Sequence, residues 1–353
     1  MRGKAMARRS EDECGELTAA PLLQMATAFW VSKTLAAAVE LELFTRLAEH
    51  QEATLEEATA SLRIEPRPAI LLLTACTALG LLEKRESRYR NSALAEKFLV
   101  AGEPYYLGGL FRLLDERHYL PWHRLTKALR TNRPLTWNPD TQDSMFSADD
   151  PVMLAHFWEA LHALSSDTAR ILSSVYDFGC HQQVLDVGGG SGAFLIELCR
   201  RHAHLSGTLY DLPHVCDIAQ RKITESGMER EISVRSGDFM CDVALPGGHD
   251  AILLSMILHD WDEPTNRMLL QKCRESLPPG GTLLICELIV NAERTGPQDA
   301  ALMGMNMLAE TTGGQNYAED EYMSWLRETG FTRTEIRRFA APGANGVIIA
   351  RSG

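Results

Sequence analysis

Apolar residues change their spacing along this chain. From about Leu17 to Leu47 they recur at helical intervals among small residues (Ala26, Ala28, Ala36, Ala37, Ala38), which suits helices packed closely against another chain or domain. A short helix is predicted after Thr54 on Leu55, Ala58 and Leu62, and a longer one from Pro66 to Leu79, stopped by Gly80. Leu81 to Arg90 then reads as a small hairpin, so that helix, helix, hairpin makes a winged-helix pattern. From about Ser165 the pattern becomes an alternation of short apolar runs and amphipathic stretches. Strands are predicted over 183–187, 206–211, 231–236, 249–254, 281–287, 331–338 and 345–351, and helices near 191–203, 213–225, 263–277, 298–310 and 318–329. Pro278-Pro-Gly-Gly281 breaks the chain before the fifth strand, and Pro342-Gly-Ala-Asn-Gly346 joins the last two. This alternation argues a parallel sheet with helices on both faces.

Composition narrows the function classes. A chain of 353 residues with 45% hydrophobic content supports two domains. The net charge of -12 disfavours nucleic acid or an anionic membrane surface as the main partner. Within 51–100 seven lysines and arginines meet seven acids, so the winged-helix stretch lacks a footprint for phosphates. The eight cysteines hold no C-x-x-C pair and read as reduced core residues, giving no metal site and pointing to a cytoplasmic protein. No apolar run reaches the ~18 residues of a membrane helix, and none follows the basic start as a signal-peptide core would. Residues 1–15 read as a disordered, charged tail.

The candidate chemistry begins at Val184-Leu-Asp-Val-Gly-Gly-Gly-Ser-Gly-Ala-Phe194, a buried-type strand running into a glycine-rich turn and a helix start. Gly188, Gly190 and Gly192 remove side chains where backbone turns sharply, and the new helix aims free N–H groups at a ligand. Asp211 ends the second strand, about where an acid bonds ribose hydroxyls, and Asp238 ends the third. Gly188, Gly190 and Ala193 also fit a dinucleotide fingerprint. No Tyr-x-x-x-Lys or similar pair stands at a strand end, however, which leaves a nicotinamide oxidoreductase without its chemistry.

The next motifs decide between ligands. Asp-Val-Gly-Gly-Gly-Ser-Gly, Tyr210-Asp-Leu-Pro-His214, Ser236-Gly-Asp-Phe239 and Leu258-His-Asp-Trp261, in this order, resemble the S-adenosylmethionine-dependent O-methyltransferases that modify plant phenylpropanoids, acetylserotonin and bacterial polyketides or aromatic antibiotics. The resemblance spans nearly the whole chain. It implies a seven-stranded Rossmann-like sheet over 176–353, closed by an antiparallel edge hairpin. Ahead of it the family carries a mostly helical, winged-helix dimerisation domain, placed here at 16–110, whose N-terminal helices exchange with the partner of a homodimer. Residues 111–175 form a helical linker that also supplies part of the acceptor pocket.

The resemblance also implies roles. S-adenosylmethionine is the donor and S-adenosylhomocysteine the product, with no metal. The glycine turn (Gly188, Gly189, Gly190) takes the methionine end, Asp211 the ribose, Asp238 and Phe239 the adenine, and Trp261 walls the adenine side; Asp186, Leu212 and Ser255 complete the cofactor contacts. His259 is the general base. A phenol with a pKa near ~10 keeps its proton at neutral pH, whereas an imidazole near ~6.5 takes it as methyl transfer proceeds. Glu287 would orient that ring and stabilise its cation. The family's plant members place a second glutamate after a Gly-Gly pair, where this chain has Asn316, an amide without negative charge. The acceptor slot is sketched by Met153, Phe157, Trp158, Leu161 and His162 on one helical stretch and by Met303, Met307 and Thr311 on another. His162 reads equally as a bonded core histidine, and no clear carboxylate clamp stands out from the charge balance. Methylation of ring carbon or nitrogen, and a silent cofactor-binding protein, remain open beside methylation of oxygen.

Overall fold

The structure, a computed structural model, describes residues 17–142 and 151–353; the tail expected over 1–15 lies outside the described residues. It separates into two compact units, one ending at Ser92 and the other running Ala93–Gly353.

In the first unit the apolar stretch forms helices Ala20–Ala26, Ala28–Glu40 and Leu43–His50. Helix Leu55–Leu62 starts where predicted because Thr54 Oγ1 accepts the Glu57 N–H (3.2 Å) while Glu57 accepts the Thr54 N–H (2.7 Å). Helix Pro66–Ala78 follows, and Gly80 leaves it at φ 73. The hairpin is β2 (Leu82–Arg85) with β3 (Arg88–Asn91), and a two-residue strand that the sequence pattern did not reveal, β1 (Ala53–Thr54), adds to β3. The early helices keep large apolar side chains in water: Leu22, Leu23, Met25 and Phe29 are exposed, and Trp30 is 62% exposed. No single described helix is long and apolar enough to cross a membrane.

The second unit is built on a seven-stranded sheet of β4 (Gln183–Val187), β5 (Ser206–Asp211), β6 (Ile232–Ser236), β7 (Ala251–Ser255), β8 (Thr282–Glu287), β9 (Phe331–Arg338) and β10 (Gly346–Ser352), in the order β6-β5-β4-β7-β8-β10-β9. Neighbours from β6 to β8 are parallel; β10 runs antiparallel to both β8 and β9. All seven predicted strands and all five predicted helices are present within a few residues. Side chains alternate between two cores: Val184, Leu253, Leu284 and Val347 pack on one face, and Leu185, Ile252, Leu283 and Ile348 on the other. Both faces are therefore dry, and each fully buried aliphatic contributes about 1.5–3 kcal/mol. Charges on β9 (Arg333, Glu335, Arg337, Arg338) blunt the exposed edge. Among the seven described cysteines all are free thiols; five are buried as expected, whereas Cys180 and Cys241 are exposed.

Ahead of the sheet, helix Gly108–Leu113 passes into a single π-type turn, Leu114–His118, and then Tyr119–Trp122. The 25-residue helix Pro151–Val175 packs against helix Gly108–Leu113.

Candidate active site

Parallel strands bring their carboxyl ends to one rim, and the glycine turn, Asp211, Asp238, His259 and Glu287 stand there. After β4 the chain turns through Gly188 (φ 69) and Gly190 (φ 57), a left-handed backbone that side chains rarely adopt. A Cβ on Gly190 would lie 2.5 Å from Cζ3 of Trp158, so the indole rests directly on the turn. The Asp211 carboxylate accepts the Gly190 N–H (2.8 Å) and the Leu212 N–H (2.7 Å), tying the end of β5 to the turn. Burial lifts Asp211 to about 6 although these two bonds favour its charged form. Asp186 is completely buried, and neither of its oxygens has a partner among the described residues. Burial, with Asp211 beside it, pushes Asp186 up to about 8. His162 Nδ1 lies 2.8 Å from Ser191 Oγ, and burial drops the ring to about 4. His162 thus stands on the glycine-turn side as a neutral, bonded imidazole.

The turn after β6 is fixed by its own acids. Asp238 accepts the Met240 N–H (2.8 Å), as a turn acid does, and Asp242 accepts the Tyr210 hydroxyl (2.6 Å). Lys272 Nζ donates to the carbonyls of Phe239 (2.7 Å) and Asp242 (2.6 Å). Phe239 meets Trp261 edge to face, with centroids 5.5 Å apart at 84°. These two rings make an angled aromatic corner on the adenine side of the expected site.

Past β7, which ends at Ser255, Met256 takes φ 56, a strained value for a side chain with a Cβ, and the short 3-10 turn Leu258–Asp260 follows. Glu287, the last residue of β8, holds that turn with both oxygens. Its Oε1 accepts the Leu258 N–H (3.0 Å), and its Oε2 lies 2.7 Å from His259 Nδ1. His259 is 5% exposed and Glu287 is fully buried. Burial works against the imidazolium, but Glu287 and then Asp260 outweigh it and hold His259 at about 9. With Nδ1 engaged, Nε2 is the nitrogen left to meet a substrate; its nearest acid is Asp260, Oδ1 3.6 Å away. Burial lifts Asp260 to about 6 against the pull of His259. Asn266 Nδ2 donates to the carbonyls of Leu258 (2.8 Å) and Trp261 (3.2 Å), and the Tyr317 hydroxyl donates to Trp261 (2.6 Å), so the turn is braced from below.

Asn316 is not bonded to the imidazole. Its Nδ2 donates to the Leu288 carbonyl (2.7 Å), while its buried Oδ1 has no partner among the described residues. Thr311 Oγ1 donates to the Met307 carbonyl (2.8 Å) and accepts the Gly314 N–H (2.8 Å), closing the helix Gln298–Glu310. Met307 is buried, and Met303 packs against a small core of Leu288, Val290, Ala300 and Ala318. Phe157 stands edge-on to Trp158 at 5.3 Å, and Leu161 is half-buried. The side chain of Met153 lies outside the described residues.

Several groups here escaped the sequence reading. Asn306 accepts from Trp122 Nε1 (3.2 Å) and lies 3.4 Å from His118 Nδ1. Glu310, 2% exposed, accepts from Thr136 Oγ1 (3.0 Å) and faces Arg117 and His118. The one signal for them was the polar run Leu114-Asp-Glu-Arg-His118 inside a stretch read as a linker.

Comparison with known proteins agrees with this geometry. Residues 122–332 match the O-methyltransferase domain family, and residues 23–101 match the O-methyltransferase dimerisation domain. A 3-hydroxy-5-methyl-1-naphthoate 3-O-methyltransferase from Streptomyces sahachiroi is 49% identical over 327 residues, 93% of each chain. An N,N-dimethyltransferase from Streptomyces rimosus is 34% identical, over 93% of this chain and 95% of its own. The crystal structure of human N-acetylserotonin methyltransferase in complex with SAM superposes with a TM-score of 0.84 at 28% identity, covering 96% of this chain and 99% of the other. A sheet closed by its antiparallel hairpin, a glycine turn under an acid-tipped strand and a match that runs through both domains have one common explanation: this chain belongs to the S-adenosylmethionine-dependent O-methyltransferase family.

Proposed function

We propose that this protein methylates a hydroxyl of a small, flat aromatic metabolite, in the cytoplasm and as a homodimer, with His259 as general base. The observation that carries the reading is the buried His259–Glu287 pair (2.7 Å) at the strand ends, one strand away from the glycine turn. S-adenosylmethionine supplies a methyl group already activated on a sulfonium.

The residues present fit that donor. Asp186 offers a carboxyl group that has no partner among the described residues and would ionise against the ammonium end, Asp211 stands at the glycine turn for the ribose, and Phe239 with Trp261 would clasp the adenine. Asp211, Asp238, Asp260 and Glu287 make the rim acidic, which favours a cationic donor over a product that has lost its sulfonium charge.

The remaining work falls to this chain's side chains. As the acceptor oxygen gains the methyl, its O–H bond breaks and the proton moves to Nε2 of His259. In the neutral ring, whose share grows as pH rises toward about 9, Glu287 keeps Nδ1 as the donor so that Nε2 holds the lone pair, and its charge then stabilises the imidazolium. Acceptors of the bicyclic hydroxy-aromatic kind are favoured by the 49% identical relative, which is named for a hydroxynaphthoate. The exposed apolar side chains of the first helices, Leu22, Met25 and Trp30, would be covered in a dimer. A second reading, transfer to nitrogen, is favoured by the 34% identical N,N-dimethyltransferase.

Incubating the protein with methyl-labelled cofactor and a panel of hydroxynaphthoates, phenols and aryl amines, then mapping the labelled position, tests both. His259→Ala should lower kcat on a hydroxyl acceptor by about 10²- to 10⁴-fold with cofactor affinity nearly unchanged. Near-normal turnover by that variant at neutral pH would overturn the role of His259.

A further inference from the structure

Arg117 is 16% exposed at its side chain, and its guanidinium makes no hydrogen bond among the described residues. Its contacts are a loose ion pair, Nη2 to Glu310 Oε2 at 3.6 Å, and the ring of Phe157, 5.6 Å from centroid to Cζ. Its five N–H donors therefore have only this loose pair within the described protein and remain open to a ligand. Elsewhere this chain pairs arginine more tightly: Arg90 forks onto Glu83 at 3.0 and 2.6 Å. Glu310 does not complete such a fork. Its Oε2 is held by Thr136, and its Oε1 faces His118 Nδ1 at 3.4 Å without a hydrogen bond. Arg117 and His118 both sit on the π-type turn Leu114–His118, the kind of local distortion that collects at functional sites. Buried His118 Nε2 also has no partner among the described residues.

The location gives these open donors a meaning. Phe157, beneath the guanidinium, touches Trp158, which lies on the glycine turn. On the other side, Glu310 ends the helix that packs on the Leu258–Asp260 turn bearing His259. Arg117 is thus linked through Phe157 and Trp158 to the glycine turn at the methyl-donor end, and through Glu310 and its helix to the turn that bears the base. We propose that Arg117 binds a carboxylate carried by the aromatic acceptor, with Glu310 aiming the guanidinium, so that the enzyme selects hydroxylated aromatic acids. This rests on the reading of the protein as a methyltransferase of aromatic hydroxyls. A planar guanidinium over a ring matches a carboxylate coplanar with a neighbouring ring, and the two parallel N–H···O bonds would fix which hydroxyl reaches His259 Nε2.

The test compares a hydroxynaphthoic acid with its methyl ester and with the naphthol that has the same hydroxyl but no carboxylate. Wild-type protein should prefer the acid by about 10- to 100-fold in kcat/KM. Arg117→Met should remove that preference, mostly through KM, while changing turnover of the naphthol by less than about threefold. Arg117→Lys, which keeps charge without the fork, should fall between them. Calorimetry with S-adenosylhomocysteine checks that each variant keeps a folded cofactor site. A wild-type enzyme indifferent to the carboxylate, or an Arg117→Met that loses acid and naphthol alike, overturns the proposal while leaving the methyltransferase reading intact. Methylation of none of the three by wild type overturns that reading, and this proposal with it.

Discussion

Glu287→Gln is the sharpest single perturbation of the reaction centre, because both carboxylate oxygens have assigned work. Oε1 accepts the Leu258 N–H, and Oε2 faces His259 Nδ1. A glutamine in the same place must keep its oxygen toward the Leu258 N–H, since its amide nitrogen cannot accept there. The nitrogen then points at Nδ1 and donates to it. The imidazole is forced into the tautomer with its proton on Nε2, where the acceptor hydroxyl needs a lone pair. The charge is lost as well. His259 stands at about 9 against an ordinary 6.5, a net preference for the imidazolium of ~3 kcal/mol at ~1.36 kcal/mol per unit, won against burial. Without Glu287 only Asp260 remains on that side, itself lifted to about 6 by burial. The ring should therefore titrate below about 6.5 in the variant. Nitrogen NMR of cofactor-free protein, recorded from pH 5 to pH 10, should show the midpoint moving down by about two units or more and the neutral tautomer switching from Nδ1–H to Nε2–H. Single-turnover methyl transfer at pH 9 should fall by about 10²- to 10⁴-fold with cofactor affinity retained. A variant within about threefold of wild type at pH 9, or an unmoved midpoint, would refute the argument that Glu287 sets the tautomer and the charge of His259.

Two further outcomes follow from the burial pattern. Asp186 is lifted from 3.8 to about 8 in the folded protein, so the native state holds a proton that the unfolded chain releases; stability should fall as pH rises from about 4 through 8, by on the order of 5 kcal/mol. Asp186→Asn should flatten that fall in cofactor-free thermal melts, and an unchanged pH slope would contradict it. Replacing Leu22 and Trp30 together with lysine should convert a dimer to monomer in light scattering at micromolar concentration without lowering the melting point of the sheet unit, whereas a wild-type monomer would refute the assembly reading.

The sheet was legible because its interior strands are buried on both faces and therefore appear as unbroken apolar runs, Ala251 to Leu254 or Leu283 to Cys286, punctuated by breakers such as Pro278-Pro-Gly-Gly281. The glycine turn, Asp211, Asp238, His259 and Glu287 were legible for a related reason: they close predicted strands, and strand ends of such a sheet share one rim. What stayed hidden depends on partners distant in sequence. Nothing in Leu114 to His118 announces a π-type turn, and nothing near Glu310 reveals that Arg117 and Thr136 will meet it. His162 and Met303 show the limit of helical spacing as a guide. Spacing places a side chain on a face, yet His162 met Ser191 and Met303 met a satellite core. Two-residue β1 exists only because β3 pairs with it, which no local pattern encodes.

The position of β10 also sets an order in time. Gly346 lies opposite Glu287 and Arg351 opposite Thr282, so β10 covers the whole length of β8. A chain made from its amino end has β8 well before the partner that dries it. Until then Thr282–Glu287 is an apolar sheet edge with open N–H and C=O groups, prone to pair with another molecule, and Glu287 faces water. β9 emerges first but pairs only with β10, so it has no place in the sheet until its neighbour arrives and the two insert together. The acid that gives His259 its basicity thus becomes effective only when the sheet is complete. An unfinished or partly unravelled chain should be sticky and chemically silent, with no weakly active intermediate between that state and the working enzyme.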